Sequence, residues 1–279
     1  MRCFTLELKQ YFPFLGEGER NPFLKVYLPL NMEALDQVDI RRPGVLLCPG
    51  GGYRIVTDRE GEPIAMHLVA EGYNVFELHY STYPNGFPVQ LREVAAVMEL
   101  ISENAEQWNT DPARVAIMGF SAGGHLAAHY TNSYDCPEVR AVFPDSKPVA
   151  ASVLCYAVLS ANEEYCHKPS FERLSGHPMP LSEEEYQTFS ADKLVSERTP
   201  PTFLWHMEGD KTVPVIGSLV YAQALAKHKV PFTLHIYPGG KHGASTCDEM
   251  SQTQEMLRPQ VRYAKGWIRL LQDWLKETL

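Results

Sequence analysis

No two cysteines in this 279-residue chain are spaced as Cys-x-x-Cys, and the six present (Cys3, Cys48, Cys136, Cys155, Cys166, Cys247) follow no regular interval. That removes the sequence basis for a zinc site or a disulfide framework and points to reduced thiols in a cytosol. Clusters of lysine and arginine are missing too. With 34 Asp and Glu against 25 Lys and Arg, a formal charge of −9, the surface suits neither nucleic acid nor an anionic membrane. The longest apolar stretch, residues 149–159, is far short of the roughly 20 residues that a membrane helix needs. Residues 1–9 alternate polar with apolar side chains and lack the apolar core of a secretory leader, so they read as a first strand and a cytoplasmic location is expected. No internal repeat or low-complexity tract interrupts a composition that is 44% hydrophobic and 21% charged, which is ordinary for a globular protein. One domain over 1–279, with room for an insertion, is the expectation.

Strand-like and helix-like patterns alternate through most of the chain, which predicts an α/β fold with a mostly parallel central sheet covered by helices on both faces. The entrance differs. Residues 1–8 and 23–30 read as two half-buried strands joined by a Pro/Gly-containing turn region, an antiparallel start to the sheet. Parallel strands are then expected at 44–48, 74–79, 115–118, 152–158, 202–207 and 232–237, and helices at 62–71, 89–107, 122–131, 214–227 and from Pro259 onward. In that last helix Val261, Ala264, Ile268, Leu271 and Leu275 share one face. Between 160 and 199 the alternation fails and the sequence turns polar, with Pro169, Pro178, Pro180 and the acidic run Glu183-Glu184-Glu185. A long irregular insertion in a compact domain is read as a small cap or lid, against a solvated surface excursion.

Directly behind the apolar run 115–118 stands Gly119-Phe120-Ser121-Ala122-Gly123. A Gly-x-Ser-x-Gly box at a strand-to-helix junction forces a turn so tight that only small residues fit beside a serine left projecting above the sheet, a nucleophile elbow. A serine hydroxyl is a weak nucleophile at neutral pH, so it needs a base within hydrogen-bond reach and a carboxylate to orient that base. Asp210, in the loop after strand 202–207, is the candidate acid, with its neighbour Glu208 and a simple turn role as the other readings. His242, in the Gly-rich loop after the last strand, is the candidate base, and Ser121, Asp210, His242 is the chain order of this hydrolase architecture. His125 and His129 have a His-x-x-x-His spacing, but no Glu follows the first and no third ligand is in view, so helix packing is expected and metal is not. For the developing oxyanion, Pro49-Gly50-Gly51-Gly52-Tyr53 follows strand 44–48, where backbone N–H groups can approach a substrate oxygen. Gly51, Gly52 and Ala122 are the candidate donors, each worth roughly 3 kcal/mol of transition-state stabilisation when well aimed.

These motifs, with the loop 210–214, Lys241-His242-Gly243 and the approach Pro200-Pro201-Thr202-Phe203-Leu204-Trp205-His206, resemble the α/β-hydrolase superfamily over nearly the whole chain. Within it the chain is similar to the esterase/lipase group of bacterial acetylxylan and carbohydrate esterases related to hormone-sensitive lipases. Pro49 stands where the lipase pattern has His, a departure that favours the carbohydrate-esterase branch. The resemblance implies an α/β-hydrolase fold and a serine carboxylic-ester hydrolase removing short acyl groups, acetyl above all, from sugars or other small alcohols. Tyr53, Tyr83, Phe87 and Tyr156 are candidates for an aromatic sugar platform, with core packing as the other reading. No cofactor or metal is expected. The expected partner is a small ester such as an acetylated sugar or oligosaccharide, with no nucleic acid, no membrane, and a homodimer as the one assembly entertained. The competing readings are an amide or peptide hydrolase, formamidase-like or peptidase-like, and a non-catalytic ligand-binding protein on the same fold.

Overall fold

The computed structural model describes residues 1–15, 21–35 and 37–279. Eight strands form one sheet: β1 (Arg2–Glu7), β2 (Phe23–Leu28), β3 (Arg42–Cys48), β4 (Asn74–His79), β5 (Thr110–Phe120), β6 (Ala151–Cys155), β7 (Thr202–Met207) and β8 (Phe232–Tyr237). Their spatial order is β1-β2-β4-β3-β5-β6-β7-β8. β2 pairs antiparallel with both β1 and β4, and every later neighbour is parallel. The antiparallel entrance and the parallel core are thus as expected, and the part of the first turn region at 16–20 lies outside the described residues.

The helices are α1 (Leu8–Tyr11), α2 (Glu62–Ala70), α3 (Val89–Glu103), α4 (Ser121–Ser133), α5 (Pro137–Arg140), α6 (Lys168–Ser175), α7 (Glu183–Phe189), α8 (Ala191–Leu194), α9 (Ile216–Lys227), α10 (Pro259–Ala264) and α11 (Trp267–Thr278). Leu91, Val94 and Met98 of α3, Leu126 of α4 and Tyr221 of α9 share one core with Leu46 and Ile117 of the sheet. Ile64 and Leu68 of α2, Val261 of α10 and Leu271 of α11 share the other core with Val45 and Met118. Alternate residues of one strand therefore feed opposite cores, which is why β3 and β5 read as unbroken apolar runs. No helix of the described residues is long and apolar enough to cross a membrane.

Where boundaries differ from expectation, local geometry accounts for it. β6 stops at Cys155 because Tyr156 takes φ 37°, a left-handed conformation that no strand continues through. The last helix breaks at Lys265 and Gly266, yet Val261, Ala264, Ile268, Leu271 and Leu275 all stay buried. β5 begins five residues earlier than the apolar run, since Arg42 and Thr110 pair across a register shift before Gly44 meets Val115. The segment 160–199 is not irregular: it holds α6, α7 and α8. Its α7 opens on a capping box in which Ser182 and Glu185 exchange backbone hydrogen bonds, and the acidic run favours the positive end of the helix.

Helix α3 carries a buried carboxyl. Glu93 is 0% exposed, its Oε2 accepting the Ser81 N–H at 2.7 Å while Oε1 has no partner, and burial pushes its pKa from 4.5 up to about 7. The folded chain keeps this proton over a range where the unfolded chain has lost it, so stability falls as pH rises from about 4.5 to 7. Glu93→Gln keeps the acceptor and removes the titration. Relative to the native protein, it should gain about 3 kcal/mol between pH 4.5 and pH 8 in chemical denaturation. An equal gap between the two proteins at both pH values would refute this.

Candidate active site

The carboxyl ends of β3, β5, β6 and β7 lie together, with Cys48 beside Gly119 and Phe120 beside Cys155, so the loops that follow these strands share one rim. On it Ser121 starts α4 directly after β5, with φ 53°, a conformation that costs a serine roughly 1–2 kcal/mol. The turn tolerates this only because its neighbours lack side chains. A Cβ on Gly119 would collide with the Gly123 carbonyl, and one on Gly123 with the carbonyls of Cys48 and Pro49. Ser121 Oγ lies 2.7 Å from His242 Nε2.

His242 Nδ1 is 2.6 Å from Asp210 Oδ2. With Nδ1–H donated to the carboxylate, Nε2 turns its lone pair to the serine hydroxyl. Asp210 is 5% exposed, and its Oδ1 accepts the N–H groups of Thr212 at 2.9 Å and Val213 at 3.0 Å. Burial opposes its charge, but the adjacent imidazoles of His206 and His242 outweigh it and hold the carboxyl well below the usual carboxylate range. Glu208 is exposed and accepts only from Gly239 N–H at 3.3 Å, so Asp210 is the carboxylate that meets the imidazole. His206, read from sequence as a strand residue, sits behind Asp210: its Nε2 donates to Val213 O at 2.9 Å and lies 3.5 Å from Asp210 Oδ2, and its Nδ1 accepts from Ser218 Oγ.

Opposite the serine, the glycine loop is held by its carbonyls. Gly51 O accepts from the Arg54 and Ile55 N–H groups, Gly52 O from Arg173 Nη1 at 2.8 Å, and Glu60 Oε2 accepts the Gly50 N–H at 2.8 Å. The N–H groups of Gly51 and Gly52 have no partner among the described residues. Ala122 adds an N–H from the first turn of α4, one of those a helix leaves unpaired. Three donors thus border Ser121, suiting the site to an oxygen that gains negative charge.

A cavity of ≈ 280 Å³ opens over Ser121 and His242, and its described lining includes none of the four candidate aromatics. Tyr53 is 1% exposed, with its hydroxyl 2.7 Å from His125 Nδ1. Phe87 stacks on His129, and Tyr83 is exposed elsewhere. Tyr156 backs the His242 ring at 5.2 Å, its hydroxyl donating to Glu60 Oε1 at 2.6 Å and accepting from Ser245 N–H at 3.0 Å. The aromatic platform is therefore corrected: the two buried tyrosines spend their hydroxyls inside the core. The walls carry Arg54, Arg59, Glu60, His167, Arg173 and Thr212 instead. Of these, Arg54, Arg59 and Glu60 follow the glycine loop closely enough for sequence to have flagged them, whereas Arg173 and His167 arrive from the insertion with no local signal.

His125 and His129 pack as helix residues. His125 Nε2 donates to Phe189 O at 2.7 Å, tying α4 to α7, and burial pushes its pKa down to about 4 and that of His129 well down as well. Among the described residues no group of three or more His, Cys, Asp or Glu is placed to hold a metal ion.

The BD-FAE family model matches residues 24–225 of this chain. Endo-1,4-beta-xylanase B of Butyrivibrio fibrisolvens is 32% identical over 232 residues, covering 80% of this chain and 36% of that protein. Acetylxylan esterase of Xylanibacter ruminicola is 32% identical over 200 residues, covering 70% of this chain and 39% of that protein. The chain thus spans little more than a third of the length of these curated relatives. Among solved structures, the acetyl ester-xyloside bifunctional hydrolase from Caldicellulosiruptor lactoaceticus superposes with a TM-score of 0.81 at 31% identity, covering 98% of this chain and 96% of that one.

Proposed function

Because this chain belongs to the BD-FAE family, an esterase branch of the α/β-hydrolase superfamily, we propose that it is a serine esterase. It removes short acyl groups, acetyl above all, from sugars or other small alcohols. The observation that carries the reading is the continuous line from Ser121 Oγ through His242 to Asp210, beside a cavity also lined by Gly51 and Gly52, whose N–H groups have no partner among the described residues. Ser121 Oγ attacks the acyl carbonyl as His242 Nε2 takes its proton, and Gly51, Gly52 and Ala122 hold the oxyanion. The C–O bond to the alcohol then breaks as His242 returns the proton to the leaving oxygen. Water repeats the sequence on the acyl-enzyme, with Asp210 stabilising each imidazolium. The cap over 160–199, within a single domain, selects the alcohol.

The names of the acetylxylan esterase and the acetyl ester-xyloside hydrolase support the acetyl-sugar reading. Six free cysteines support a reducing, cytoplasmic setting. A small cavity with charged walls supports a short acyl group, because a long alkyl chain would have to strip water from those charges. p-Nitrophenyl acetate should exceed the decanoate by on the order of a hundredfold in kcat/KM; a faster decanoate would overturn the short-acyl assignment. Acetylated xylo-oligosaccharides, simple sugar acetates, feruloyl esters and formyl amides, assayed beside Ser121→Ala, identify the natural class. Fastest turnover of the formyl amides would replace the ester reading with an amidase one.

A further inference from the structure

The cavity over Ser121 is walled by three arginines, Arg54, Arg59 and Arg173, in a chain whose 34 acidic residues outnumber its 25 Lys and Arg. Five arginines elsewhere meet carboxylates, among them Arg114 with Asp111 at 2.8 Å, Arg198 with Asp135 at 2.8 Å and Arg262 with Glu249 at 3.2 Å, while Arg2, Arg41, Arg42, Arg92 and Arg258 form no ion pair among the described residues. None of the three cavity arginines forms an ion pair among the described residues. Glu60 is the one carboxylate among the described lining residues, and it is 2% exposed and fully engaged by the Gly50 N–H, the Thr57 hydroxyl and the Tyr156 hydroxyl. Its charge is turned into the loop that it holds.

The arginines are not equivalent. Arg173 is tied to Gly52 O and serves the glycine loop. Arg59 is half-buried, with Nη2 against Gly243, 2.7 Å from where a Cβ on that glycine would stand, and so lies beside His242. Arg54 is exposed at the rim. In acyl transfer the carbonyl sits at the glycine loop, and the leaving oxygen sits at the imidazole that protonates it. Arg59 therefore faces the side of the alcohol.

We propose that this site takes esters whose alcohol carries an anionic oxygen group, a carboxylate or a phosphate, bound by Arg59 and Arg54. The inference rests on the serine-esterase reading. Guanidinium forks match the paired oxygens of either group, and charge-assisted bonds of this kind are about twice as strong as neutral ones. The anion takes no part in bond breaking. Once seated it holds the leaving oxygen at the His242 imidazole, so the gain appears in kcat as well as in KM.

The test compares acetylated glucose with acetylated glucuronic acid and acetylated glucose 6-phosphate, and p-nitrophenyl butyrate with p-nitrophenyl hemisuccinate. At least one anionic sugar should exceed the neutral one by about tenfold or more in kcat/KM, and which one does so separates carboxylate from phosphate. The preference should shrink on raising the ionic strength to about 0.5 M and collapse in Arg54→Gln/Arg59→Gln. Arg54→Gln alone, at the exposed rim, should reduce it in part and serves if the double variant fails to fold. Equal rates for neutral and anionic sugars, a preference that survives the substitutions, or a preference confined to the hemisuccinate would overturn the proposal. Ser121-dependent hydrolysis without any anion preference sinks this inference alone, whereas no Ser121-dependent hydrolysis of any of the esters sinks the esterase reading beneath it.

Discussion

Ser121→Ala is expected to lower ester turnover by about a millionfold in kcat. The substitution removes the one atom that forms the acyl-enzyme and leaves the rest of the site in place. Alanine is no harder to hold at φ 53° than serine, and the glycines that make room for the turn are untouched. The variant should therefore fold with a thermal midpoint close to that of the native protein. A residual rate above that of water, from the Gly51, Gly52 and Ala122 donors and from substrate positioning, is also expected, on the order of a thousandfold or more. The check is steady-state acetate release together with a thermal melt. A variant that stays folded and keeps most of its turnover would remove Ser121 from the mechanism, and with it the line of hydrogen bonds on which the proposed function stands.

Asp210→Asn is expected to lower kcat by about ten-thousandfold, while Glu208→Gln stays within about twofold of the native enzyme. The two carboxylates are two residues apart in sequence and differ entirely in surroundings. Asp210 is buried and holds His242 Nδ1 at 2.6 Å, with two backbone N–H groups fixing its other oxygen. An amide there can offer N–H to Nδ1, which turns the imidazole to the tautomer that no longer accepts the serine proton. Glu208 points to solvent, and its one partner is a backbone N–H at 3.3 Å. Kinetics of the two variants on one acetate ester decide between them: a larger loss in Glu208→Gln would reverse the assignment of the acid.

Much of the fold was legible because local pattern and tertiary environment agreed. The strands at 74–79, 202–207 and 232–237 have the bounds expected from their runs of apolar, aromatic and β-branched residues. The elbow was legible because its glycines leave a fixed trace in sequence. Legibility failed where a single backbone angle or a distant partner decided. Nothing in residues 152–158 signals that Tyr156 turns left-handed and ends β6 so that its hydroxyl can bridge Glu60 and Ser245. The α7 capping box was in principle readable in Ser182-x-x-Glu185, but three prolines and a polar composition around it masked the helix. That Tyr53, Phe87 and Tyr156 pack inward was not legible, because residue type says that a ring wants cover and not which side of it will be covered.

By itself the sequence determined the order of layers, the box around Ser121 and the short set of residues able to serve it, since periodicity, small-residue turns and chain order are local properties. The hydrogen bond of Asp210 to His242, the burial of Tyr53 and Tyr156, and the gathering of three arginines around one cavity were decided only in three dimensions. Each depends on which groups from loops far apart in the chain share a few ångströms of space: Arg59 meets Gly243, Arg173 meets Gly52, and Asp210 meets His242. Charge pairing and burial are properties of that shared space, and no stretch of the chain carries them alone.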